Sequence, residues 1–315
     1  MRHFLDLTDW NNDRIRKLLK DAAKLKKAHA RGRQKPVLQG KVLGLIFEKP
    51  SLRTRVSFEA AILELGGGSV FLSNNDASLG MRKHPGLCPH DQPVCRRRRA
   101  AHLRARQGRA VRRLLRLPSS TACPDHFHPC QALGDLLTIQ EAFGKLDGQT
   151  VVFVGDGNNV ARSLALACGK MGLPFVLSAP PGYGFDAAFK DLFQHNVPGA
   201  KLIEEPDARR AVAGADVIYT DVWASMGQED EGPARQKAFA PYQVNAEMLA
   251  LAPGGAKVMH CLPAHRGEEI TDDVLDGPHS IAFHQAGNRM HAQKALLVWL
   301  LTGKDKANGR PNKRR

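Results

Sequence analysis

The sequence lacks the features that would take a protein out of water or out of the cell. In its 315 residues no run reaches the roughly 18 apolar residues a membrane-spanning helix needs. The opening Met1-Arg-His-Phe-Leu-Asp-Leu-Thr8 has no apolar signal-peptide core, so a soluble cytoplasmic protein with no membrane partner is expected. The six cysteines show no pairing pattern of the kind that staples a small secreted fold. Acidic residues are scarce in two places only. Residues 81–124 hold 12 Lys and Arg against Asp91 alone, and residues 301–315 hold 6 against Asp305. The net charge of +15 lies in those two patches, and the remaining body carries about −1. A near-neutral body with two basic patches is not laid out as a nucleic-acid surface, so no nucleic-acid partner is expected. Residues 304–315 read as a solvated, disordered tail.

What is present is organised around Lys41 to Leu65. Lys41-Val-Leu-Gly-Leu-Ile-Phe47 has the length and apolarity of a buried strand, and Glu48-Lys49-Pro50 leads to Ser51-Leu52-Arg53-Thr54-Arg55. Val56, Phe58, Ala60, Ala61, Leu63 and Leu65 then recur at helical spacing until Gly66-Gly67-Gly68. This is strand, turn, helix. The turn sets Ser51, Arg53, Thr54 and Arg55 at a helix N-terminus, where unpaired N–H groups and the dipole favour an anion such as phosphate. Taken alone, the same residues also read as an ordinary helix start, with Ser51 as N-cap and the arginines solvated. A resemblance separates the two readings. Lys49-Pro-Ser-Leu-Arg-Thr-Arg-Val-Ser-Phe-Glu59 resembles the carbamoyl-phosphate loop of the aspartate and ornithine carbamoyltransferases almost letter for letter.

Before this stretch, residues 4–30 predict a helix capped by Thr8 or Asp9, with Ile15, Leu18, Leu19, Ala22, Ala23 and Leu25 on one face. After it, Ser69-Val-Phe-Leu72 predicts a strand, and residues 81–124 break the pattern. There stand Arg96-Arg97-Arg98-Arg99, Cys88, Cys95, Cys123 and five prolines, with no apolar periodicity. A zinc reading of Cys88, His90 and Cys95 lacks a second pair of ligands, so no metal is expected. We read the segment as frame-shifted. Back-translating Gln92 to His102 and shifting by one nucleotide permits Ser-Arg-Tyr-Val-Asp-Ala-Val-Val-Leu-Arg-Thr, which resembles the family's Ser-Arg-Tyr segment, strand and carbamoyl-phosphate Arg-Thr. As written, the chain is then expected to lose a strand and one phosphate-binding arginine, to fold poorly over 81–124, and to be inactive.

From His128 the pattern returns. His128-Pro129-Cys130-Gln131 precedes a helix from Ala132 to Phe143 and resembles the family's second substrate motif. Gly148-Gln-Thr-Val-Val-Phe-Val-Gly155 predicts the first strand of a second unit, with Asp156-Gly157-Asn158-Asn159 turning into a helix from Val160 to Met171. Gly155 and Gly157 make half a dinucleotide fingerprint, which keeps an NAD-dependent dehydrogenase as a rival. The asparagines are read instead as ligands for a small polar substrate. Further strands are predicted at Phe175–Ser178, Lys201–Ile203, Asp216–Thr220 and Lys257–His260, with helices between. The fold expected is α/β: two doubly wound domains with parallel sheets, joined by interdomain helices.

Asp221-Val-Trp-Ala-Ser225-Met226-Gly227 and His260-Cys261-Leu262-Pro263 follow two of these strands, and Asn288-Arg289 opens a last helix from Met290 to Leu301. By position Asp221 is a possible helix cap and Cys261 a small buried residue. Together they resemble the ornithine-site motifs of the family, and His-Cys-Leu-Pro separates the ornithine from the aspartate branch. The resemblance implies a carbamoyl-phosphate domain at 1–145, an ornithine domain at 146–285, and a C-terminal helix at 286–303 returning to the first. It implies that Ser51, the Leu52 N–H, Arg53 and Thr54 hold phosphate, that Thr54 and His128 polarise the carbonyl, and that Gln131, within His128-Pro129-Cys130-Gln131, takes the carbamoyl amide. Arg289 adds positive charge. Asn159 and the Met226 backbone then take the α-carboxylate of ornithine, Asp221 and Ser225 the α-amino group, and Cys261 with the Leu262 carbonyl the δ-amine. The catalytic set implied is Arg53, His128, Asp221 and Cys261. No cofactor is required, and a homotrimer acting on carbamoyl phosphate and L-ornithine is implied. Rivals are a carbamoyltransferase for putrescine or acetylornithine, and an inactive relative.

Overall fold

The computed structural model describes residues 3–47, 51–72, 100–103, 119–120, 126–224 and 229–302. Contacts divide the chain into two units, one of residues 1–5, 24–121 and 293–315 and one of 6–23 and 122–292.

The first unit carries a parallel sheet of five strands: β1 (His3–Phe4), β2 (Val42–Ile46), β3 (Gly68–Leu72), β4 (Ala100–Leu103) and β5 (Ser119–Ser120), in the order β1-β5-β4-β2-β3. Leu43 and Leu45 of β2 are fully buried. Helix α1 (Asn12–Ala30) starts later than its periodicity predicts. Asp6 Oδ1 accepts the Thr8 N–H in a local turn, and Asn11, not Thr8 or Asp9, caps the helix by accepting the Arg14 N–H at 3.0 Å. Helix α2 (Leu52–Glu64) follows β2 and ends at Gly66, where φ is +81° and a Cβ would strike Pro36.

The expected loss of a strand from 81–124 is corrected, since both β4 and β5 lie within it and β4 stands between β2 and β5. Ala100–Leu103 pairs with Val42–Leu45 in register Val42↔Ala100. A ladder needs only backbone N–H and C=O groups, which Ala-Ala-His-Leu supplies. The arginine run, Cys88, Cys95, Cys123 and the basic tail lie outside the described residues.

The second unit, which also holds the first half of α1, continues with helix α3 (Pro129–Phe143), which starts three residues earlier than predicted because Pro129 takes the first helical position, where its missing N–H costs nothing. Then come β6 (Val151–Val154), α4 (Asn159–Met171), β7 (Phe175–Ser178), α5 (Ala187–Asn196), β8 (Leu202–Glu204), α6 (Ala208–Val212), β9 (Val217–Thr220), α7 (Gly232–Phe239), α8 (Ala246–Ala250), β10 (Lys257–His260), α9 (Asp272–Leu275) and α10 (Ala282–Thr302). Its sheet is parallel in the order β10-β9-β6-β7-β8, the doubly wound arrangement expected. Strands β6 and β9 are buried at every position, as central parallel strands are. Val152, Val154, Ile218 and Val258 face Val212, Phe239, Met248 and Val274 on one side of the sheet. On the alternate side Phe153 stacks on Tyr219 with centroids 5.2 Å apart.

In the first unit Lys294 of α10 is buried and paired with Glu64 at the end of α2, which also accepts from Gln34 and lies 2.9 Å from His29 Nδ1. Burial pushes the Glu64 carboxyl up, but the hydrogen bonds from Lys294 and Gln34 and the Lys294 and His29 charges outweigh it, so it titrates below its ordinary 4.5. The stability it contributes is therefore present above 4.5 and is lost as the pH falls through the lower folded value. Glu64→Gln leaves a buried ammonium without its counter-charge and is expected to cost about 1–3 kcal/mol at pH 7, less than a fully buried pair because Glu64 is partly exposed. Urea unfolding should show that deficit shrinking in acid, and an equal deficit at both ends of the range would contradict the pairing.

Candidate active site

Each sheet has one place where the chain leaves adjacent strands in opposite directions, and loops beyond the strand C-termini open a crevice there. In the second unit that place lies between β6 and β9. The loop after β6 brings Asn158 to the N-cap of α4, where its Oδ1 accepts the Val160 and Ala161 N–H groups at 2.9 and 3.0 Å. Its Nδ2 donates to Asp221 Oδ2 at 3.0 Å across the crevice. Asn158 is thus a cap and a holder of Asp221 rather than the substrate ligand expected. Asn159, the first helical residue, is half-buried beside it.

The dinucleotide reading has no support in this loop. The N–H groups a pyrophosphate would take are already held by Asn158. Gly157 is a glycine because a Cβ would come within 2.9 Å of the Gly184 backbone.

Asp221 is 7% exposed and accepts three donors: Asn158 Nδ2, the Val222 N–H at 2.9 Å and the Cys261 thiol at 2.8 Å, the last two on Oδ1. The register Thr220↔His260 makes the next two residues, Asp221 and Cys261, neighbours. His260 is fully buried and uses both ring nitrogens: Nδ1 accepts the Leu262 N–H at 2.8 Å, and Nε2 donates to Glu269 Oε1 at 3.0 Å. Glu269 Oε1 also accepts the His265 N–H at 2.6 Å. Leu262 is thereby held at φ +56°, a left-handed conformation that a non-glycine adopts only where its surroundings impose it. Asp221, His260 and Cys261 bring ligand atoms within 4.8 Å of one another, but the imidazole has no lone pair left for a metal.

Arg235, which the sequence did not single out, ties three loops together. Its guanidinium donates to Asp156 Oδ2 at 2.7 Å, to the Trp223 carbonyl at 2.9 Å and to Glu231 at 2.8 Å, and lies 5.0 Å from the Tyr183 ring centroid. Burial raises the Asp156 carboxyl against the lowering effect of Arg235, with a net rise.

His128 to Gln131 also belong to this unit. The His128 N–H donates to Ser163 Oγ of α4 at 2.6 Å, and Cys130 and Gln131 are buried in the first turn of α3. Arg289 Nη1 donates to Gln131 Oε1 at 3.3 Å, so two of the expected carbamoyl-phosphate residues meet. Contacts place residues 126–145 with the second unit, whereas the sequence assigns them to the first domain.

In the first unit the corresponding crevice lies between β2 and β4, and the N-terminus of α2 stands just beyond β2. Ser51 occupies the N-cap position without capping, since its hydroxyl donates to Thr54 Oγ1 at 2.8 Å and accepts no backbone N–H. Arg55 has turned away, 3.9 Å over the Phe71 ring and 3.3 Å from Glu59. Arg53 and Leu52 are exposed, and Thr54 is buried. Ser225 and Met226 lie outside the described residues.

Both parallel α/β units set polar loops at the crevice beyond their strand C-termini, where proteins of this class bind ligands. Residues 2–141 match the aspartate/ornithine carbamoyltransferase carbamoyl-P binding domain, and residues 147–300 match the Asp/Orn binding domain of the same family. The ornithine carbamoyltransferase of Anoxybacillus flavithermus is 44% identical over 305 residues, covering 95% of this chain and 96% of that protein. That of Archaeoglobus fulgidus is 45% identical over 304 residues, with 96% and 98% covered. Among solved structures, ornithine carbamoyltransferase from Pyrococcus furiosus superposes with a TM-score of 0.88 at 40% identity, covering 96% of this chain and 98% of that one. The chain belongs to the aspartate/ornithine carbamoyltransferase family.

Proposed function

We propose that this protein transfers the carbamoyl group of carbamoyl phosphate to the δ-amine of L-ornithine, giving L-citrulline and phosphate. The observation that carries the reading is the Cys261 thiol donating to Asp221 at the crevice, within a His-Cys-Leu-Pro strand end. Ornithine's side-chain ammonium, with a pKa of about 10.4, must lose a proton before it attacks. Asp221, a Cys261 thiolate or the leaving phosphate takes it. The freed lone pair forms the C–N bond, the C–O bond breaks with its electrons leaving on phosphate, and the second amine proton passes to that phosphate. Ser51, the Leu52 N–H, Arg53 and Thr54 hold that phosphate. Thr54 and His128 donate to the carbonyl oxygen as it gains charge, Gln131 accepts the carbamoyl N–H, with His128, Pro129 and Cys130 forming the same turn, and Arg289 adds charge. Asn159 and Met226 bind the α-carboxylate, Asp221 and Ser225 the α-amino group, and Cys261 and the Leu262 carbonyl the δ-amine. No cofactor enters this scheme.

We place the protein in the cytoplasm, in arginine biosynthesis, as a homotrimer. Leu52, Val56 and Leu63 share one face of α2 at 76, 53 and 60% exposure, an apolar stripe suited to self-association. Sedimentation should give three times the 34.5 kDa chain mass, and a monomer at working concentration would contradict this. A second reading, an inactive relative, is favoured by one observation, the Arg96–Arg99 run.

Citrulline formation should be measured with ornithine, putrescine and acetylornithine, on the chain as written and on one with the frame of residues 92–102 restored. Ornithine should be preferred. Preference for either rival removes the substrate assignment, and activity confined to the restored chain supports the second reading. Arg53→Ala should weaken carbamoyl-phosphate binding by about tenfold to a hundredfold, the worth of a charge-assisted contact of roughly 1.5–3 kcal/mol. Unchanged affinity would mean that the α2 N-terminus is not the anion site.

A further inference from the structure

The mechanism above leaves unused one buried carboxylate that touches its machinery. Asp135 stands one turn after Gln131 on α3 and is fully buried. Its Oδ1 accepts the side-chain amides of Gln131 at 2.8 Å and of Gln285, on α10, at 2.7 Å. Gln285 in turn donates to the Tyr219 hydroxyl at 2.9 Å and accepts the His260 N–H at 3.0 Å. The facing surfaces of α3 and α10 are close: a Cβ on Gly134 would lie 3.1 Å from Arg289 Cα, and Asn288 donates to Thr138 Oγ1 at 3.0 Å.

A glutamine amide has a donor end and an acceptor end, and only the partner decides which way it points. A carboxylate can only accept. With Gln131 Nε2 turned to Asp135, its Oε1 must face the other way, and there it meets Arg289 Nη1 at 3.3 Å. A carbamoyl group presents N–H donors, so it needs Oε1 on that side.

We propose that Asp135 is a positioning residue that fixes the amide of Gln131 with its oxygen toward the carbamoyl group, and so sets the affinity for carbamoyl phosphate. The inference rests on the carbamoyl-transfer reading. Burial, with Oδ2 lacking a hydrogen-bond partner among the described residues, pushes the Asp135 carboxyl up to about 7, against the lowering effect of Gln131, Gln285, Tyr219 and Arg289. Tyr219 on β9, Cys168 on α4 and Arg289 on α10 are the titratable and charged groups facing it. Both of its protonation states can accept from Gln131, so the orientation survives the titration.

The test is an exchange of donor and acceptor. Asp135→Asn can turn its own amide toward Gln131 and reverse the glutamine. It should raise the KM for carbamoyl phosphate by about tenfold or more while that for ornithine changes little. Adding Gln131→Glu restores an acceptor facing the substrate and keeps one carboxylate in the cluster, so the double variant should regain most of the loss. An unchanged KM in Asp135→Asn, or no recovery in the double variant, overturns the proposal. A merely structural role would lower both substrates' apparent affinities together and would not be rescued. Independently of catalysis, the Gln131 side-chain amide resonance of the native chain, assigned by its loss in Gln131→Glu, should move with a midpoint near 7. Rapid solvent exchange of that amide's protons, which the bond to Asp135 should protect, overturns the proposal even if the single variant does not fold. A native chain that binds no carbamoyl phosphate but shows the titration would instead remove the functional reading and leave the Asp135–Gln131 pair standing.

Discussion

A carboxylate almost removed from water is costly unless donors replace its hydration, and Asp221 is given three. The arrangement around it follows from that need. Asn158 can donate to Asp221 only because its oxygen is committed to the first turn of α4, which fixes the amide's direction. Cys261 can donate only because β10 pairs with β9 in a register that ends both strands together. The loop after β6 can come close enough only because Gly157 has no side chain to meet Gly184. Cap, register and close approach are separate features of the chain, and they converge on one side chain.

Around that point the structure spends buried polar groups on orientation. His260 and Glu269 are both fully buried, and their bonds hold the backbone at Leu262 in a left-handed turn that Leu would not choose. Arg235 does the same for the loops carrying Asp156, Tyr183 and Trp223. A buried network whose members are each committed to a partner has few alternative arrangements, which is what a site for a small, flexible amino acid requires. In the proposed reaction this rigidity would keep the amine beside Cys261 without a metal or cofactor to anchor it.

How much of this was legible in the sequence depends on the range of the interaction. The helix start at Ser51, the strand at Phe175–Ser178 and the strand at Lys257–His260 were readable because each rests on local periodicity or a contiguous motif, whereas the helix after His128 was placed three residues late. The start of α1 was not, because Asp6 and Asn11 compete with Thr8 and Asp9 for the same role and composition does not rank them. Asn158 and Asn159 looked alike in sequence, yet only Asn158 caps the helix. Asp135, Arg235 and Glu269 carried no signal, since the contacts that set them in the site reach Gln285, Asp156 and His260, which lie 150, 79 and nine residues away, while the four-residue spacings to Gln131 and Glu231 are ordinary on any helix. The similarity to known carbamoyltransferases covers 95% of the chain taken as a whole.

The central claim, that the δ-amine of ornithine is bound at Cys261, whose thiol donates to Asp221, is open to one direct measurement. The Cys261 thiol is half-buried and hydrogen-bonded, so a small alkylating agent such as iodoacetamide should label it slowly, and the modified peptide can be followed by mass spectrometry. With inorganic phosphate standing in for the phosphate of the first substrate, ornithine should slow labelling of Cys261 further. If ornithine leaves the rate unchanged in the presence of phosphate, the amine is bound elsewhere and the account of the site is wrong.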